Sequence, residues 1–214
     1  MKRLRILLAD DHAMILNGIK GLLESHYEVI GSEKNGKALI EATLRLKPDL
    51  VVLDVSMPIL NGIDAAREIK KALPSTKLVF LTMHTNSIYL RKALEAGASG
   101  YVLKSGAAEE LLTGIEEVRK GNVYVTPDFG RDVIESIRGW DEGRAASPVL
   151  TDRQRHILQL LAEGKQNKEI AEIAHISVRT VEFHRSRLMA RLGARSVAEL
   201  IRFAIQEGLI DGQR

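Results

Sequence analysis

One stretch decides the fold of this chain: Leu50-Val51-Val52-Leu53-Asp54-Val55-Ser56-Met57-Pro58-Ile59-Leu60-Asn61-Gly62. Its first four residues are apolar and two are β-branched, which is typical of a strand buried on both faces. The Met-Pro turn and the Asn-Gly step that follow predict a helix beginning near residue 61. Ligand chemistry in open α/β sheets takes place at the carboxyl ends of strands. Asp54 therefore lies where a reactive group is expected.

The rest of the first 120 residues repeats this alternation of strand and helix. Four more apolar segments precede helical patterns, near residues 4–9, 27–31, 77–81 and 100–103. Strands that alternate with helices at this spacing predict parallel β-α-β units. We therefore predict an α/β class domain, a (βα)5 doubly wound sheet with strand order 2-1-3-4-5.

The last third of the chain is predicted to be helical throughout. Thr151 and Gln154 have the spacing of a capping box, and Ser196 and Glu199 repeat it, so each pair marks the start of a helix. Two short helices, a tight turn and a longer helix from Ser177 are typical of a helix-turn-helix unit. We expect an α/β domain at residues 1–121, a linker with a short helix at 122–147, and an all-α four-helix domain at 148–214.

Composition narrows the classes of protein that the chain can belong to. Of its 214 residues, 45% are hydrophobic and 28% charged, as in ordinary globular proteins. No apolar run reaches the ~18 residues that a membrane span requires, and the absence of cysteine excludes disulfides and thiolate metal sites. Residues 148–214 hold 11 Lys+Arg against 8 Asp+Glu, and the remainder holds 20 of each. We expect a cytoplasmic protein without a membrane partner, with its basic excess at the C-terminal end.

Polar side chains follow the predicted strands at the point where each strand ends. Asp10 and Asp11 follow the first strand, Asp54 the third, Thr82 the fourth and Lys104 the fifth. Because these ends lie side by side at one edge of the sheet, the side chains can converge. Three carboxylates so close repel one another by an estimated several kcal/mol per pair, and oxygen ligands favour Mg²⁺ as the cation that relieves this. Asp54 is then a candidate nucleophile towards phosphorus, with Lys104 and Thr82 suited to phosphoryl oxygens.

The third helix of the C-terminal region has two contrasting faces when projected at 100° per residue. One face is predicted to be buried, and it carries Val178, Val181, Leu188, Met189 and Leu192. The opposite side holds arginines and an aromatic residue and is suited to DNA, with Glu182 on its flank. Arg185 falls within the apolar stripe, so its stem is expected to pack while its head reaches out. The candidate DNA contacts are Arg179, Thr180, Glu182, Phe183, Arg185, Ser186 and Arg187. Arginines reach phosphates, whereas Glu182 would be repelled by them and is expected to accept from cytosine N4.

Residues 4–120 resemble the receiver domain of bacterial two-component response regulators. The resemblance rests on Asp10-Asp11, on Asp54 with Met57-Pro58 and Asn61-Gly62, on Thr82, and on Tyr101 three residues before Lys104. It implies that Asp54 accepts a phosphoryl group from a histidine kinase or a small phosphodonor. It also implies that Asp11, Asp54 and the backbone carbonyl of Ser56 bind Mg²⁺, with Asp10 acting through water. Thr82 and Tyr101 are expected to shift inward together on phosphorylation, while Ser56 and His84 occupy positions that tune phosphoryl lifetime.

The segment from Leu150 to about Gly208 resembles the LuxR/FixJ-type helix-turn-helix. The matching runs are Leu150-Thr151-Asp152-Arg153, Asn167-Lys168-Glu169-Ile170-Ala171 and Thr180-Val181-Glu182-Phe183-His184. The whole chain therefore resembles a NarL/FixJ-family response regulator. The resemblance implies a transcription regulator that binds double-stranded DNA and answers to a sensor histidine kinase. We further expect a homodimer when the protein is phosphorylated, and RNA polymerase is an additional candidate partner.

Other interpretations of the sequence stay open at this point. The helical module could bind protein instead of DNA, and the first domain could be a phosphatase acting on other molecules. Nucleotide binding has no motif, since neither G-x-x-x-x-G-K-[ST] nor a G-x-G-x-x-G after a strand is present. A haloacid-dehalogenase-type phosphatase needs a second aspartate where Ser56 stands. We expect no enzymatic activity beyond the handling of the protein's own phosphoryl group.

Overall fold

The computed structural model describes residues 3–106, 108–129 and 150–210. The chain divides into two compact units, Met1–Trp140 and Asp141–Arg214. Residues 130–147, which hold most of the predicted linker and its short helix, lie outside the described residues. In the described ranges, no helix combines the length and the apolar character needed to cross a membrane.

The first unit is a parallel sheet whose strands alternate with helices. Within the described residues its strand order is 2-1-3-4-5-6, which confirms the predicted doubly wound fold and adds a sixth strand. The elements are β1 Arg5–Ala9, α1 Ala13–Glu24, β2 Glu28–Glu33, α2 Gly36–Leu46, β3 Leu50–Leu53, α3 Gly62–Ala72, β4 Lys77–Thr82, α4 Ser87–Glu95, β5 Gly100–Leu103, α5 Ala108–Lys120 and β6 Tyr124–Val125, followed by a 3₁₀ turn at Pro127–Phe129.

The sheet is buried on both faces, as the apolar run before Asp54 predicts. Along β3, Val51 and Leu53 belong to the core under α2, α3 and α4, whereas Leu50 and Val52 belong to the core under α1 and α5. Successive side chains of a strand point to opposite faces, so a strand covered on both sides must be apolar at every position. The four-residue apolar run is therefore the central strand of the unit.

Strand β6 lies in the segment that the sequence analysis assigned to the linker. It pairs in parallel with β5, and the N–H of Thr126 donates to the carbonyl of Tyr101 at 2.9 Å. The hydroxyl of Thr126 accepts from the N–H of Leu103 at 3.0 Å. Two residues are too few to show an apolar periodicity, so the pattern along the chain did not predict this strand.

The loop from β3 to α3 holds Asp54 in place. Asn61 caps α3 by accepting from the N–H of Asp64 at 2.9 Å, and the N–H of Gly62 donates to the carbonyl of Val55 at 2.8 Å. A Cβ at Gly62 would lie 1.9 Å from the carbonyl oxygen of Asp54. Only glycine permits this approach, so the turn after Asp54 depends on Gly62.

The second unit consists, in its described part, of α6 Asp152–Ala162, α7 Asn167–Ala174, α8 Val178–Leu192 and α9 Val197–Gln206. The capping box at the start of α6 is confirmed, since Gln154 N–H donates to the Thr151 hydroxyl at 3.2 Å and Thr151 N–H donates to the Gln154 side chain at 3.0 Å. The one predicted for α9 is half formed: Ser196 accepts from Glu199 N–H, but the Glu199 carboxylate accepts from Arg195 N–H.

The core of this unit is built around one face of α8. Val181 and Leu188 are fully buried, and Met189 and Leu192 are partly buried, as the helical projection predicts. Val178 departs from that prediction because its side chain is 36% exposed. It occupies the first position of the helix, where side chains lean towards the N-terminus and away from the core.

Candidate functional site

Three of the predicted site residues meet at the carboxyl edge of the sheet. The Nζ atom of Lys104, after β5, lies 2.7 Å from Oδ2 of Asp54, after β3, and 2.7 Å from Oδ2 of Asp10, after β1. All three side chains are at most 6% exposed. One ammonium group therefore bridges two buried carboxylates from different strands.

Further contacts orient the aspartates of this cluster. Oδ1 of Asp54 accepts from the N–H of Val55 at 2.6 Å, and Oδ1 of Asp10 accepts from the N–H of His12 at 2.9 Å. The ring Nδ1 of His12 also lies 2.9 Å from Oδ1 of Asp11. The sequence analysis did not single out His12, although its position directly after the aspartate pair was a signal. It holds the two neighbouring carboxylates from the solvent side.

Burial and charge act against each other on the ionisable groups of the cluster. Burial raises the pKa of Asp54, with a smaller contribution from Asp10, whereas Lys104 and the Thr82 hydroxyl act to lower it. For Lys104, burial opposes the charged form, but the carboxylates of Asp54 and Asp10 outweigh it and raise the pKa of the ammonium. Lys104 is therefore charged at neutral pH, and its single ammonium group stands among three carboxyl groups, those of Asp10, Asp11 and Asp54.

The carboxylates are close enough together to hold a cation. One oxygen from each of Asp10, Asp11 and Asp54 and a ring nitrogen of His12 all lie within 4.8 Å of one another. Carboxylate oxygens are ligands for hard divalent cations, and a cation would offset the excess negative charge. The residues present thus fit a divalent ion, and the role of the Ser56 carbonyl as a further ligand stays a prediction.

Thr82 and Tyr101 are joined through His84. The hydroxyl of Thr82 accepts from the N–H of His84 at 3.3 Å, and the hydroxyl of Tyr101 donates to the carbonyl of His84 at 3.0 Å. The His84 ring stacks on Tyr89 with centroids 3.9 Å apart, and its Nε2 lies 2.7 Å from the Ser56 hydroxyl. His84 therefore connects the loop after β3, the end of β4 and strand β5.

Tyr101 is directed into the core in this structure, and its shift together with Thr82 on phosphorylation stays a prediction. Its side chain is fully buried, and burial raises the pKa of the phenol. The ring packs edge-on against Phe129 with centroids 5.4 Å apart. This inward position is stabilised by the segment that follows α5.

The predicted DNA-facing residues lie on the outer side of α8. Arg179, Glu182, Phe183, Ser186 and Arg187 are exposed, and Arg185 and Thr180 are partly buried. In the part of the chain that the structure describes, the side chains of Arg179, Glu182 and Arg185 form no ion pair or hydrogen bond. Exposed charges on α3 and α5 do pair within their own helices, as in Lys71–Glu68, Arg119–Glu116 and Lys120–Glu117. The charges on α8 are therefore free to meet a partner molecule.

Comparison with known families identifies both units. Residues 6–116 match the response regulator receiver domain, and residues 148–204 match the bacterial regulatory proteins of the luxR family. The chain belongs to the response regulators that join a receiver domain to a LuxR-type DNA-binding domain, and the family predicted from the sequence is confirmed.

Relatives cover the chain over nearly its full length. It is 36% identical over 210 residues to the transcriptional regulatory protein MctR of Rhizobium johnstonii, covering 97% of this chain and 96% of the relative. It is 33% identical over 216 residues to the oxygen regulatory protein NreC of Staphylococcus carnosus, and the match covers 97% of this chain and 100% of the relative. A structure of RcsB from Salmonella enterica serovar Typhimurium, bound to promoter rprA with phosphomimetic BeF3−, is 29% identical with a TM-score of 0.56, covering 94% and 97%.

Proposed function

We propose that Asp54 is the phosphoacceptor of this response regulator and that its phosphorylation controls dimerisation and sequence-specific DNA binding. The observation that supports this most strongly is the 2.7 Å contact of Lys104 with both Asp54 and Asp10 at the strand ends. Asp54 follows β3, which lies between β1 and β4 in the sheet. Asp10, after β1, and Thr82, at the end of β4, therefore stand on either side of it. It is thus the central acceptor position of the site.

The residues of the site divide the work of phosphoryl transfer. Oδ1 of Asp54 is held by the backbone, so Oδ2, beside Lys104, attacks phosphorus. The bond from phosphorus to a histidine nitrogen of the sensor kinase, or to an acetyl phosphate oxygen, breaks, and the leaving group keeps the electron pair. Lys104 and the Thr82 hydroxyl then pair with phosphoryl oxygens. Mg²⁺ held by Asp10, Asp11, Asp54 and the Ser56 carbonyl would screen the charge on those oxygens.

Intact mass after incubation with Mg²⁺ and acetyl phosphate tests the acceptor. We expect the wild-type protein to gain one phosphoryl group and Asp54→Ala to gain none. Asp64→Asn is a matched control, because Asp64 is also buried but pairs with Arg67 at 2.7 Å and lies in α3. A phosphoryl gain in Asp54→Ala would show that another residue is the acceptor.

The unpaired charges of α8 support DNA as the partner of the second unit. In this proposal the arginines contact phosphates, Thr180 donates to a phosphate in the first turn, and Glu182 accepts from a cytosine. The RcsB relative is bound to a promoter in its structure, which supports DNA as the partner of this unit. The competing possibility, a module that binds protein, predicts no salt-dependent affinity for a random duplex. We expect duplex affinity to fall steeply with rising salt.

The proposal extends to the wider setting of the protein. A sensor histidine kinase supplies the phosphoryl group, and RNA polymerase is a further partner at the promoter. We assign the protein to the cytoplasm, where the DNA is. It handles only its own aspartyl phosphate, so turnover of small phosphoesters by the purified protein would contradict this part.

A further inference from the structure

A guanidinium group lies over an aromatic ring on the exposed side of α8. The Cζ atom of Arg187 lies 4.7 Å from the centroid of the Phe183 ring. Phe183 is 53% exposed, so it is one of the large apolar side chains that remain at the surface. Among the described residues, the ring contacts the Arg187 guanidinium and, edge-on with centroids 5.9 Å apart, the ring of His184.

The direction of side chains in a helix explains why this pair forms. Arg179 and Arg187 lie four residues before and four residues after Phe183, so both share its face of the helix. Helical side chains lean towards the N-terminus, so a residue leans over the one four positions earlier. Arg187 therefore leans over the Phe183 ring, whereas Arg179 leans away and has no ring contact among the described residues.

We propose that Phe183 is a positioning residue for Arg187, and that its ring fixes where the guanidinium meets DNA. This inference rests on the proposed DNA-binding function of α8. An unrestrained arginine loses side-chain entropy when it binds, and the ring restricts that freedom beforehand. The guanidinium carries five N–H donors in a planar fork, so its contact with the ring leaves donors available to phosphate or guanine.

A double-mutant cycle separates positioning from a direct contact between Phe183 and DNA. The full-length protein, treated with Mg²⁺ and acetyl phosphate, is titrated with a random-sequence duplex at several salt concentrations. Phe183→Leu removes the π face and keeps an apolar side chain, and Arg187→Ala removes the charge. We expect Phe183→Leu to weaken binding roughly two- to fivefold, the range of an exposed cation–π contact. In the Arg187→Ala background it should have almost no further effect.

Arg179 provides the matched control for the cycle. Phe183→Leu should keep its full effect in the Arg179→Ala background, because Arg179 does not contact the ring. Phe183→Tyr should bind as tightly as wild type, since tyrosine restores the π face. The salt slope should fall by about one in Arg187→Ala and stay unchanged in Phe183→Leu, because only the former loses a charge.

Each remaining outcome counts against the inference. If Phe183→Leu lowered duplex affinity equally in the wild-type and the Arg187→Ala backgrounds, the positioning role would be overturned, whereas the proposal that α8 binds DNA would stand. Failure of the wild-type protein to bind any duplex would overturn the proposed function and this inference together. Far-UV circular dichroism confirms that the helices persist, and Phe183→Met serves as a second variant if Phe183→Leu alters them.

Discussion

Ile59 has a φ of 70°, in the left-handed region that glycine adopts easily and that β-branched residues avoid. The loop around it is fixed from both sides. The N–H of Leu60 donates to the carbonyl of Pro58 at 2.8 Å, and the carbonyl of Leu60 accepts from the N–H of Gly36 at 3.0 Å. The surroundings therefore impose a strained backbone in the loop that follows the proposed phosphoacceptor, Asp54.

The strain at Ile59 predicts that glycine is more stable than alanine at this position, the reverse of their order within a helix. Ile59→Gly should be more stable than Ile59→Ala by about 1 kcal/mol, because alanine keeps the left-handed strain that glycine relieves. At Ala190, an exposed position within α8, Ala→Gly should instead lower stability by about 1 kcal/mol. Urea unfolding measures both differences. An Ile59→Ala variant as stable as Ile59→Gly would mean that the loop relaxes without strain.

We predict that Asp54 lowers the stability of the protein when no cation is bound. Its pKa is raised on folding, mainly by burial, so above the ordinary value of 3.8 the unfolded chain releases a proton that the folded protein keeps. The free energy of unfolding therefore falls as the pH rises from the pKa of Asp54 in the unfolded chain to its higher pKa in the folded protein. Asp54→Asn should remove the fall and therefore be more stable than the wild type at neutral pH.

Thermal unfolding in a chelator, at a series of pH values, measures this effect. Adding Mg²⁺ should stabilise the wild-type protein and have a smaller effect on Asp54→Asn, because the variant has lost one carboxylate ligand. If Asp54→Asn were less stable than wild type at neutral pH, the ion pair with Lys104 would outweigh the cost of burial.

At the scale of elements, the site depends on how α2 meets the loop between β3 and α3. A Cβ at Gly36 would lie 2.3 Å from the carbonyl oxygen of Leu60. Gly36→Ala must therefore displace the loop, and we expect it to destabilise the protein by about 2 kcal/mol and to slow phosphorylation of Asp54. Gly21→Ala in α1 is the control, because nothing lies within 4 Å of its Cβ position.

The stability of the control variant, Gly21→Ala, should change in the opposite direction. In α1, alanine is a better helix former than glycine, so Gly21→Ala should raise stability by about 0.5–1 kcal/mol. Thermal unfolding and the rate of mass gain with acetyl phosphate distinguish the two variants. A Gly36→Ala variant with wild-type stability and rate would show that the loop can move aside at little cost.

At the scale of the whole molecule, the prediction concerns assembly. We expect the unphosphorylated protein to sediment mostly as a monomer and the phosphorylated protein to form a dimer. Such a dimer would present two α8 helices about one turn of DNA apart, ~34 Å. Sedimentation with and without acetyl phosphate measures the change, and Asp54→Ala should stay a monomer in both. An unchanged mass for the phosphorylated wild type would exclude dimerisation as the control step at that concentration.

The sequence by itself determined the doubly wound fold and the identity of the strand-end residues. An apolar run before Asp54 and polar residues after four of the strands are local patterns, and parallel topology brings the ends of such strands to one edge. The helix-turn-helix elements and the capping box at Thr151 were predictable for the same reason, because a cap is formed by residues three positions apart.

Only the tertiary structure decided the contacts between segments that are far apart in the chain. These include the inward position of Tyr101 against Phe129, strand β6 beside β5, and the left-handed backbone at Ile59. Periodicity reports which face of an element is apolar, whereas these features depend on distances that are set only when the elements pack together.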